Sequence, residues 1–338
     1  MYIALSHCWG TSPQLRTLTS NITSFERAIP WASFPETFKH AAITTKKLRI
    51  SYLWIDSLCI VQDSPEDWKE QSALMGQVYQ NSYLCLSALD SRDSTEGLLR
   101  TRDSRVQRPF RLWESPPATL KMHGPVFLFP TLNKDMDPAG PLAERAWVLQ
   151  EELLSPRRVI FGRDMVYWDC ISARASEAQP HGIFHQSPLL GISEVDWARL
   201  YKGGIGGLLD LSGGDSINSS KDVALFYKSW LLIVQAYSER KITKGSDRLA
   251  ALAGIAVEFQ KATGDAYHAG LWERYMWREL LWYVPSSGSP TFDGRVARKN
   301  LEASKPVVGF QAPTWSWASV DARIRYFTSF RPENISDH

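Results

Sequence analysis

The sequence predicts an α/β protein whose first half contains a parallel sheet. Three short apolar runs, at residues 2–6, 52–61 and 83–88, are typical of strands that are covered on both faces. Two stretches with helical spacing of apolar residues, ending near Leu48 and near Gln80, separate these runs. Because strands that alternate with helices are connected by right-handed crossovers, we expect the three strands to lie parallel in one sheet.

Each of the two predicted helices follows a sequence that favours a helix start. Residues 33–36 (Ser-Phe-Pro-Glu) match a capping box with a proline in the first turn. Residues 64–67 (Ser-Pro-Glu-Asp) place a capping hydroxyl before a proline and two acidic residues, which suit the positive end of a helix. The second helix is therefore expected from Ser64 to about Gln80.

Asp56 interrupts the apolar run at residues 52–61, which is predicted to be the central strand. Burying a carboxylate without a partner is costly, so Asp56 must have a partner or serve a function. Open α/β sheets bind their ligands where such strands lead into helices. The sequence therefore predicts a functional site near Asp56.

The rest of the chain is predicted to contain short strands, loops and helices. Hairpin-like strands are expected within residues 111–132, a helix over about Leu142–Leu154, and a β-hairpin at residues 159–162 and 165–170. Beyond these, helices are expected at Val223–Ser238, at Asp247–Thr263 and, rich in Trp, around Leu271–Tyr283, while Trp315 and Trp317 alternate as in a strand.

These patterns divide the chain into three predicted parts. Residues 1–172 form the α/β domain, and residues 173–220 form a loop-rich linker that includes the glycine-rich stretch Gly203–Gly214. Residues 221–338 form a largely helical C-terminal region with short added strands, whose Trp-rich tail packs on the core.

Composition excludes several classes of protein. A formal net charge of +2 over 338 residues gives no electrostatic reason to expect nucleic acid or membrane as a partner. The apolar runs are too short to span a bilayer, and Met1 leads directly into a strand-like segment rather than a signal peptide. We therefore expect a cytoplasmic protein.

The cysteines give no sign of a metal site. Four cysteines lie far apart, with no Cys-x-x-Cys pair and no His-Glu-x-x-His, so no zinc site is expected and buried reduced thiols are the simplest interpretation. The chain also lacks a Walker-type phosphate loop, a Gly-x-Gly-x-x-Gly turn and a Gly-x-Ser-x-Gly elbow. No tightly bound cofactor is predicted.

Five phrases, taken in order, resemble the fungal heterokaryon incompatibility (HET) domain family. They are Tyr2–Gly10 (YIALSHCWG), Leu53–Asp63 (LWIDSLCIVQD), the looser Asp67–Tyr79, Gly97-Leu98, and Arg145–Arg157 (RAWVLQEELLSPR). Further phrases at Asp247–Leu249, Tyr267–Trp272 and Pro313–Ser319 resemble the usual continuation of such proteins. The resemblance implies a flavodoxin-like or TIR-like α/β core, because HET domains have been likened in fold to Toll-type (TIR) domains.

The resemblance also suggests a chemistry, since enzymatic TIR domains hydrolyse NAD at the nicotinamide–ribose bond. Their active helix carries a Trp-Cys-x-x-Glu phrase, which Trp147–Glu151 matches except that Val148 replaces the cysteine. Glu151 is therefore the predicted catalytic carboxylate, on the same helix face as Trp147. The alternative is a surface glutamate paired with Arg145, Arg157 or Arg158, and the adjacent Glu152 is expected to be solvated.

His7 and Asp56 are the other two candidate catalytic residues. They follow neighbouring parallel strands, so a contact between them would fix a tautomer and make His7 a base, and Cys59 nearby would then be a nucleophile. The alternative is a structural knot in which His7 binds Asp56 and Trp9 packs over the pair. The residues leave both interpretations open, with the knot favoured for Cys59.

The predicted substrate-binding residues surround these catalytic candidates. They are Ser6, Trp9, Cys59, Gln62, Arg145, Trp147 and Trp315. Trp9 suits stacking on a flat ring, Arg145 suits a phosphate or a salt bridge, and Gln62 suits a ligand hydrogen bond or a turn cap. Two interpretations of Trp315 remain open: its ring covers the site, or it packs between domains.

Three functions remain open from the sequence, and an enzyme is favoured. The first is an NAD glycohydrolase in fungal incompatibility and cell death, with NAD as substrate. The second is an enzyme of fungal secondary metabolism that cyclises, dehydrates or hydrolyses a small molecule with His7, Asp56 and Glu151. The third is a non-catalytic module that signals by self-association, so the expected partners are a small-molecule substrate and, as an open alternative, a homo-oligomer.

Overall fold

The structure, a computed structural model, describes most of the chain in two compact units. The described residues are 1–11, 15–103, 110–117, 119, 124–128, 140–184, 220–285, 305–306 and 312–326. The sheet unit comprises Met1–Trp68, Asn81–Leu142 and Ser155–Leu190. The helical unit comprises Lys69–Gln80, Ala143–Leu154 and Gly191–His338. Gly203–Gly214, the predicted linker glycines, lie outside the described residues.

The sheet unit is built on one seven-stranded mixed sheet. The strands of this unit are β1 (Ile3–Ser6), β2 (Leu53–Ile55), β3 (Leu84–Ser87), β4 (Phe110–Trp113), β5 (Val126–Leu128), β6 (Arg157–Phe161), β7 (Val166–Cys170), β8 (Ala173–Ser176) and β9 (Gln179–Phe184). Their order across the sheet is β2-β1-β3-β6-β7-β8-β9, and β4 pairs separately with β5. Neighbours from β2 to β6 are parallel and those from β6 to β9 are antiparallel. The predicted α/β fold with a parallel sheet is confirmed.

The parallel part of the sheet has the order expected of a flavodoxin-like sheet. From one edge, the strands follow the order second, first, third and fourth, so the direction of winding reverses between β1 and β3. Ligands of such sheets bind beyond the carboxyl ends of the strands at this reversal. The core beneath it contains apolar side chains of β1, β2, β3 and the helix Glu36–Lys47, among them Leu5, Ile55, Leu86 and Phe38.

The helices of the described residues agree with most of the predicted ones. They are α1 (Ile22–Arg27), α2 (Glu36–Lys47), α3 (Asp56–Cys59), α4 (Pro65–Gln80), α5 (Ala146–Leu154), α6 (Ser220–Ser238), α7 (Ala250–Thr263) and α8 (Met276–Glu279). The Ser64 cap of α4 is confirmed, because the Ser64 hydroxyl accepts a hydrogen bond from the Asp67 N–H at 3.2 Å. The prediction of a capping box at residues 33–36 is wrong. The Ser33 hydroxyl donates to the Pro30 carbonyl, and Ser33 belongs to a 3₁₀ turn (Trp31–Ser33).

The predicted central strand at 52–61 is also wrong in length and in place. β2 spans only Leu53–Ile55 and lies at the edge of the sheet, and the chain turns into α3 at Asp56. The carboxylate of Asp56 accepts the N–H of Ser57 at 2.7 Å and lies in the first turn of α3, where the positive end of the helix favours a negative charge. The apolar run continues past the strand because α3 buries Ser57 and the following Ile60.

The hairpins are found where the sequence predicts them. β4 and β5 form the hairpin-like pair within residues 111–132, apart from Phe110 at the start. β6 and β7 form the antiparallel pair at residues 159–170. The predicted loop-rich stretch from residue 173 is wrong over residues 173–184, because β8 and β9 extend the sheet there.

The helical unit packs α4, α5 and α7 closely through glycines. A Cβ atom placed on Gly254 of α7 would lie 2.7 Å from the Cα of Gly76 in α4 and 2.5 Å from Oε1 of Gln150 in α5. The same Gln150 oxygen accepts the N–H of Gly254 at 2.8 Å. Only glycine at these positions permits this approach.

Short strands complete the helical unit, where the sequence predicted a Trp-rich helix. These strands are β10 (Tyr267–His268), β11 (Leu271–Trp272), β12 (Trp282–Tyr283), β13 (Lys305–Pro306), β14 (Val320–Asp321) and β15 (Arg325–Tyr326). β10 pairs with β11 across a turn at Gly270, whose φ of +104° is incompatible with a helix. Within residues 271–283 the chain forms β11, a 3₁₀ turn (Glu273–Tyr275), α8 and β12, so the helix expected there is reduced to α8.

The tail tryptophans do not alternate in a strand as predicted. Trp317 begins a 3₁₀ turn (Trp317–Ser319) that the Ser316 hydroxyl caps, and its indole N–H donates to the Gly270 carbonyl at 3.0 Å. The indole of Trp230 donates to the same carbonyl at 3.1 Å. Burial of one of the two tail indoles, expected from the sequence, is found for Trp317.

Among the residues that the structure describes, no helix combines the length and the apolar character needed to cross a membrane.

Candidate functional site

A polar cluster lies at the carboxyl ends of β1 and β2 in the sheet unit. His7 Nδ1 lies 3.7 Å from Oδ1 of Asp56, and Oδ2 of Asp56 accepts the indole N–H of Trp9 at 2.8 Å. These distances confirm the expected proximity of the two candidate catalytic residues. They arise because the parallel register places Leu5 opposite Ile55, so the residues that follow each strand meet.

The imidazole of His7 is enclosed. The residue is 3% exposed, and its ring meets the ring of Phe38 edge-to-face at 5.1 Å between centroids. A substrate would have to displace this packing to reach the ring nitrogens. The arrangement corresponds to the structural knot more closely than to a general base that a substrate can contact.

Asp56 and Trp9 are partly exposed, whereas His7 is buried. Its side chain is 21% exposed, while Trp9 is half-buried. Because the Trp9 indole and the Ser57 N–H both donate to the carboxylate, its orientation is fixed. Asp56 therefore joins the loops that follow β1 and β2.

Gln62 acts as a turn cap rather than as a free hydrogen-bonding group. Its Nε2 donates to the backbone carbonyls of Asp56 and Ile60 at 3.1 and 2.9 Å. Thr17, which the sequence interpretation missed, fixes the same turn: its hydroxyl donates to the Leu58 carbonyl at 2.7 Å. In the sequence, Thr17 is one threonine in a loop, and such threonines are too common for the sequence to indicate that this one fixes the turn.

Cys59 is poorly suited to be a nucleophile. Desolvation of the thiol and the negative charge of Asp56 raise the pKa of Cys59, although a backbone hydrogen bond to Ile55 opposes them. A raised pKa leaves less of the reactive thiolate at neutral pH. The residue Cys59 as a whole is exposed, contrary to the expected burial, although its thiol is desolvated; Cys8 and Cys85 are buried and Cys170 is partly buried.

Ser6 lies at the reversal between β1 and β3. Its hydroxyl is buried and has no hydrogen-bond partner among the described residues, and its carbonyl accepts the N–H of Ala88 at 2.9 Å. The register pairs Ser6 with Ser87 of β3, which is also buried. Two serines thus end adjacent strands where open sheets place their ligands.

The other candidate residues lie in the helical unit. Glu151 is half-buried on α5, with its Oε2 shielded from solvent, four residues after the half-buried Trp147. Arg145, one residue before α5, forms an isolated β-bridge with Lys241. Three of the predicted residues therefore lie on one short segment.

The neighbours of Glu151 differ in part from the expectation. Glu152 is not solvated, because its carboxylate forms a salt bridge with Arg240 at 2.6 Å and is 18% exposed. Among the three predicted partners of Glu151, Arg157 donates to the Tyr83 carbonyl at 3.2 Å and Arg158 donates to Asp169 at 2.8 Å.

Trp315 keeps an exposed ring. The residue is 40% exposed, and its carbonyl accepts the indole N–H of Trp282 at 2.7 Å. Within the helical unit it is held through its backbone, so the ring remains available for a contact. Its predicted role as a lid stays a prediction.

No group of three or more His, Cys, Asp or Glu side chains suited to hold a metal ion occurs in the described part of the chain.

Comparison with known protein families identifies the N-terminal part. Residues 2–151 match the family described as heterokaryon incompatibility protein (HET). The chain carries a HET domain. The matched stretch starts at β1 and ends at Glu151, so the HET domain includes His7, Asp56 and the Trp147–Glu151 phrase. No curated protein and no solved structure matches the chain.

Proposed function

We propose that the HET domain is an NAD glycohydrolase that acts in fungal incompatibility and cell death, with Glu151 as its catalytic carboxylate. The observation that supports this proposal most is the position of Glu151. It is half-buried, lies four residues after Trp147 on α5 and ends the matched HET stretch. In this proposal NAD is the substrate, not a tightly bound cofactor.

The proposed reaction requires a carboxylate rather than an acid. Water adds to the anomeric carbon of the nicotinamide riboside, the carbon–nitrogen bond breaks, and its electron pair stays with nicotinamide, which leaves as a neutral molecule. The water releases one proton, and the products are ADP-ribose and nicotinamide. Because the transition state carries positive charge on the ribose, a nearby carboxylate stabilises it.

The surroundings of Glu151 suit a charge-stabilising role. A carboxylate that is shielded from water on one side acts on a developing positive charge with less screening than a solvated one. Trp147 on the same helix face offers a flat ring for nicotinamide or adenine. Arg145 lies two residues before Trp147 and would contact a phosphate of the substrate.

The enclosure of His7 weighs against the second function, in which His7 acts as a general base on a small molecule. The imidazole is 3% exposed and packs on Phe38, so the base would be inaccessible without rearrangement. The contacts of Asp56 account for its presence without catalysis. We therefore place the reaction at Glu151 and treat the His7–Asp56–Trp9 cluster as support for the fold.

The test is nicotinamide release from NAD by the purified full chain and two matched variants. We expect Glu151→Gln to lower the rate at least 100-fold. Glu152→Gln is the control, because Glu152 is the adjacent residue and its carboxylate forms a salt bridge with Arg240. Glu152→Gln should retain most of the rate, after both variants are shown by circular dichroism to be folded.

Two results would count against the proposal. The first is a rate in Glu151→Gln equal to that of the unchanged protein. The second is no release by the unchanged protein at concentrations high enough for self-association, which would favour a non-catalytic module or a small-molecule enzyme.

A further inference from the structure

In the sheet unit, the loop that follows β3 is attached to α2 through the side chain of His40. Nδ1 of His40 accepts the backbone N–H of Leu98 at 3.0 Å and that of Leu99 at 3.3 Å. A Cβ atom on Gly97 would lie 2.6 Å from the same nitrogen, and the φ of Gly97 is +76°, so only glycine lets the ring approach this closely. The Gly97-Leu98 phrase of the sequence therefore forms the contact of this loop with α2.

The two hydrogen bonds determine the protonation state of the His40 ring. A neutral imidazole has one nitrogen that donates and one that accepts, whereas a protonated imidazole donates from both nitrogens. Because Nδ1 accepts two backbone N–H groups, the ring is neutral and its proton lies on Nε2. A charged ring is incompatible with this contact.

Glu36 faces the other nitrogen of the ring from the same helix. Its Oε2 lies 3.8 Å from Nε2 of His40, and its Oε1 forms an ion pair with Lys39 at 2.8 Å. The hydrogen bond and the charge of Lys39 lower the pKa of Glu36, so this carboxylate stays ionised where histidines gain a proton. Its attraction also favours a charged ring, but the side chain of Glu36 is 52% exposed. An exposed ion pair offsets only part of the two backbone hydrogen bonds that a charged ring would lose.

Charged groups of the loop pair with one another. Arg100 donates to the carboxylate of Asp90 at 2.6 Å and to that of Glu96 at 2.7 Å, and the carboxylate of Asp93 accepts the N–H of Thr95 at 2.8 Å. Carboxylates and guanidinium groups ordinarily keep their charge between about pH 5 and pH 8, whereas a histidine ordinarily changes its charge in that range. Acidification within this range therefore acts on the loop through the imidazole that binds it.

A second attachment of the loop to α2 does not titrate. Thr37 donates its backbone N–H to the Ser94 carbonyl at 2.9 Å, and its hydroxyl accepts the N–H of Gly97 at 3.1 Å. Leu98, which follows this attachment directly, is 5% exposed and belongs to the apolar core of the sheet unit. A change in the charge of the ring therefore acts locally, on Leu98 and Leu99.

We propose that His40 is a pH-sensitive latch, which holds Leu98 and Leu99 at neutral pH and releases them when its ring gains a proton. Protonation places a hydrogen atom on Nδ1, opposite two N–H groups, so the acceptor is lost and the ring must turn away. The side chain of His40 is 21% exposed, which gives the proton a route to the ring. The stabilisation from the latch is present at neutral pH and is lost as pH falls, and the core that Leu98 shares with Leu5 and Leu86 then loosens.

Amide hydrogen exchange of the full chain, followed by NMR and corrected for the intrinsic effect of pH on exchange, tests the proposal. Between about pH 7.5 and about pH 5.5, across which a histidine ordinarily gains its proton, the protection of Leu98 and Leu99 should fall. We expect a loss of about tenfold, the effect of about one hydrogen bond. The Gly97 amide is an internal control whose protection should stay constant, because it donates to the Thr37 hydroxyl.

Two variants separate the titration of His40 from a purely structural role. His40→Asn places an amide oxygen near the position of Nδ1, so it keeps an acceptor that does not titrate. We expect this variant to retain the protection of Leu98 at neutral pH and to lose its pH dependence. His268→Asn is the matched control, because Nε2 of His268 also faces a glutamate, Glu273, at 3.5 Å but belongs to the helical unit. It should leave the pH dependence at Leu98 unchanged.

Imidazole ¹⁵N chemical shifts measure the tautomer of His40 independently. At neutral pH we expect Nδ1 to be unprotonated and Nε2 to carry the proton. A proton on Nδ1 at neutral pH would overturn the proposal. So would protection of Leu98 and Leu99 that does not change with pH, or a pH dependence that persists in His40→Asn.

Discussion

The indole N–H of Trp9 donates to the carboxylate of Asp56 at 2.8 Å, and this hydrogen bond joins the loops that follow two adjacent parallel strands. The two residues are 47 positions apart in sequence, so the bond closes a long loop across the edge of the sheet. Asp56 thereby acquires the partner that its place in an apolar run demands. The pair shows how polar residues of the HET phrases hold the fold together.

Removing the Asp56 carboxylate should destabilise the sheet unit. We expect Asp56→Ala to lower the free energy of unfolding by about 2 kcal/mol, because hydrogen bonds to a charged group are worth about 1.5–3 kcal/mol and this group is partly exposed. Trp9→Phe, which removes one of the donors, should cost about half as much. Urea unfolding followed by circular dichroism measures both.

The control for this series is Glu114→Ala, because Glu114 has a side chain that is 81% exposed. Its effect should stay within about 0.5 kcal/mol. An Asp56→Ala protein as stable as the control would show that Asp56 is not a structural partner of Trp9 and His7.

Asp169 should be among the most sensitive charged residues of the sheet. Its carboxylate pairs with Arg158 at 2.8 Å and with Arg174 at 3.4 Å, and its side chain is only 4% exposed. Asp169→Ala leaves the buried Arg158 without this partner, so we expect a loss of about 3–5 kcal/mol in the free energy of unfolding.

A matched exposed pair provides the comparison for Asp169. Lys39→Met removes the ion pair between Lys39 and Glu36, whose side chains are 27% and 52% exposed. That change should cost no more than about 1 kcal/mol. Equal losses in thermal unfolding of the two variants would refute the distinction between the buried and the exposed pair.

The glycine contacts between α4 and α7 should not tolerate a methyl group. Gly76→Ala and Gly254→Ala each place a Cβ atom 2.7 Å from the facing backbone. The helices must separate, and we expect each change to cost about 2 kcal/mol, as overpacking of a tight core does. Gly264→Ala is the control, because a Cβ there meets nothing within 4 Å and only the φ of +67° is unfavourable. Chemical unfolding should rank Gly264→Ala as the mildest of the three, and the reverse order would contradict the close packing.

Glu279 should make the stability of the protein depend on pH. Because the folded pKa is raised above 4.5, the folded state holds its proton more tightly than the unfolded state does. The stabilisation from this group is therefore complete below about pH 4.5 and is lost as pH rises through the folded pKa. Measured against pH, the free energy of unfolding should decline less steeply in Glu279→Gln than in the unchanged protein. Parallel curves would show that folding does not raise the pKa of Glu279.

Local sequence patterns predicted the interior strands better than the turns. The apolar runs at residues 2–6 and 83–88 became β1 and β3, since such runs are stable only when neighbours cover both faces. The run at residues 52–61 contained both a strand and a helical turn, and periodicity alone does not separate these. Asp56 lies where the strand ends and the helical turn begins, but this was not evident from the sequence, because the contacts of its carboxylate with the Ser57 N–H and with Trp9 form only in the folded protein.

In the Trp-rich C-terminal segments, local sequence patterns failed to predict the structure. Spacing of apolar residues around Leu271–Tyr283 favoured a helix, yet Gly270 turns the chain and its carbonyl accepts the indole N–H groups of Trp230 and Trp317. These partners lie 40 and 47 positions away. No local rule anticipates a hydrogen bond over that separation.

The sequence by itself determined the α/β class, the HET domain, and the identity of the residues that meet at the ends of β1 and β2. These follow from periodicity, helix signals and ordered phrases, all of which act over short distances along the chain. Only the tertiary structure decided which of those residues are accessible: His7 is enclosed by Phe38, Asp56 binds Trp9, and Glu152 pairs with Arg240. Burial and hydrogen-bond partners depend on neighbours that are distant in sequence, and they arise only when the chain packs.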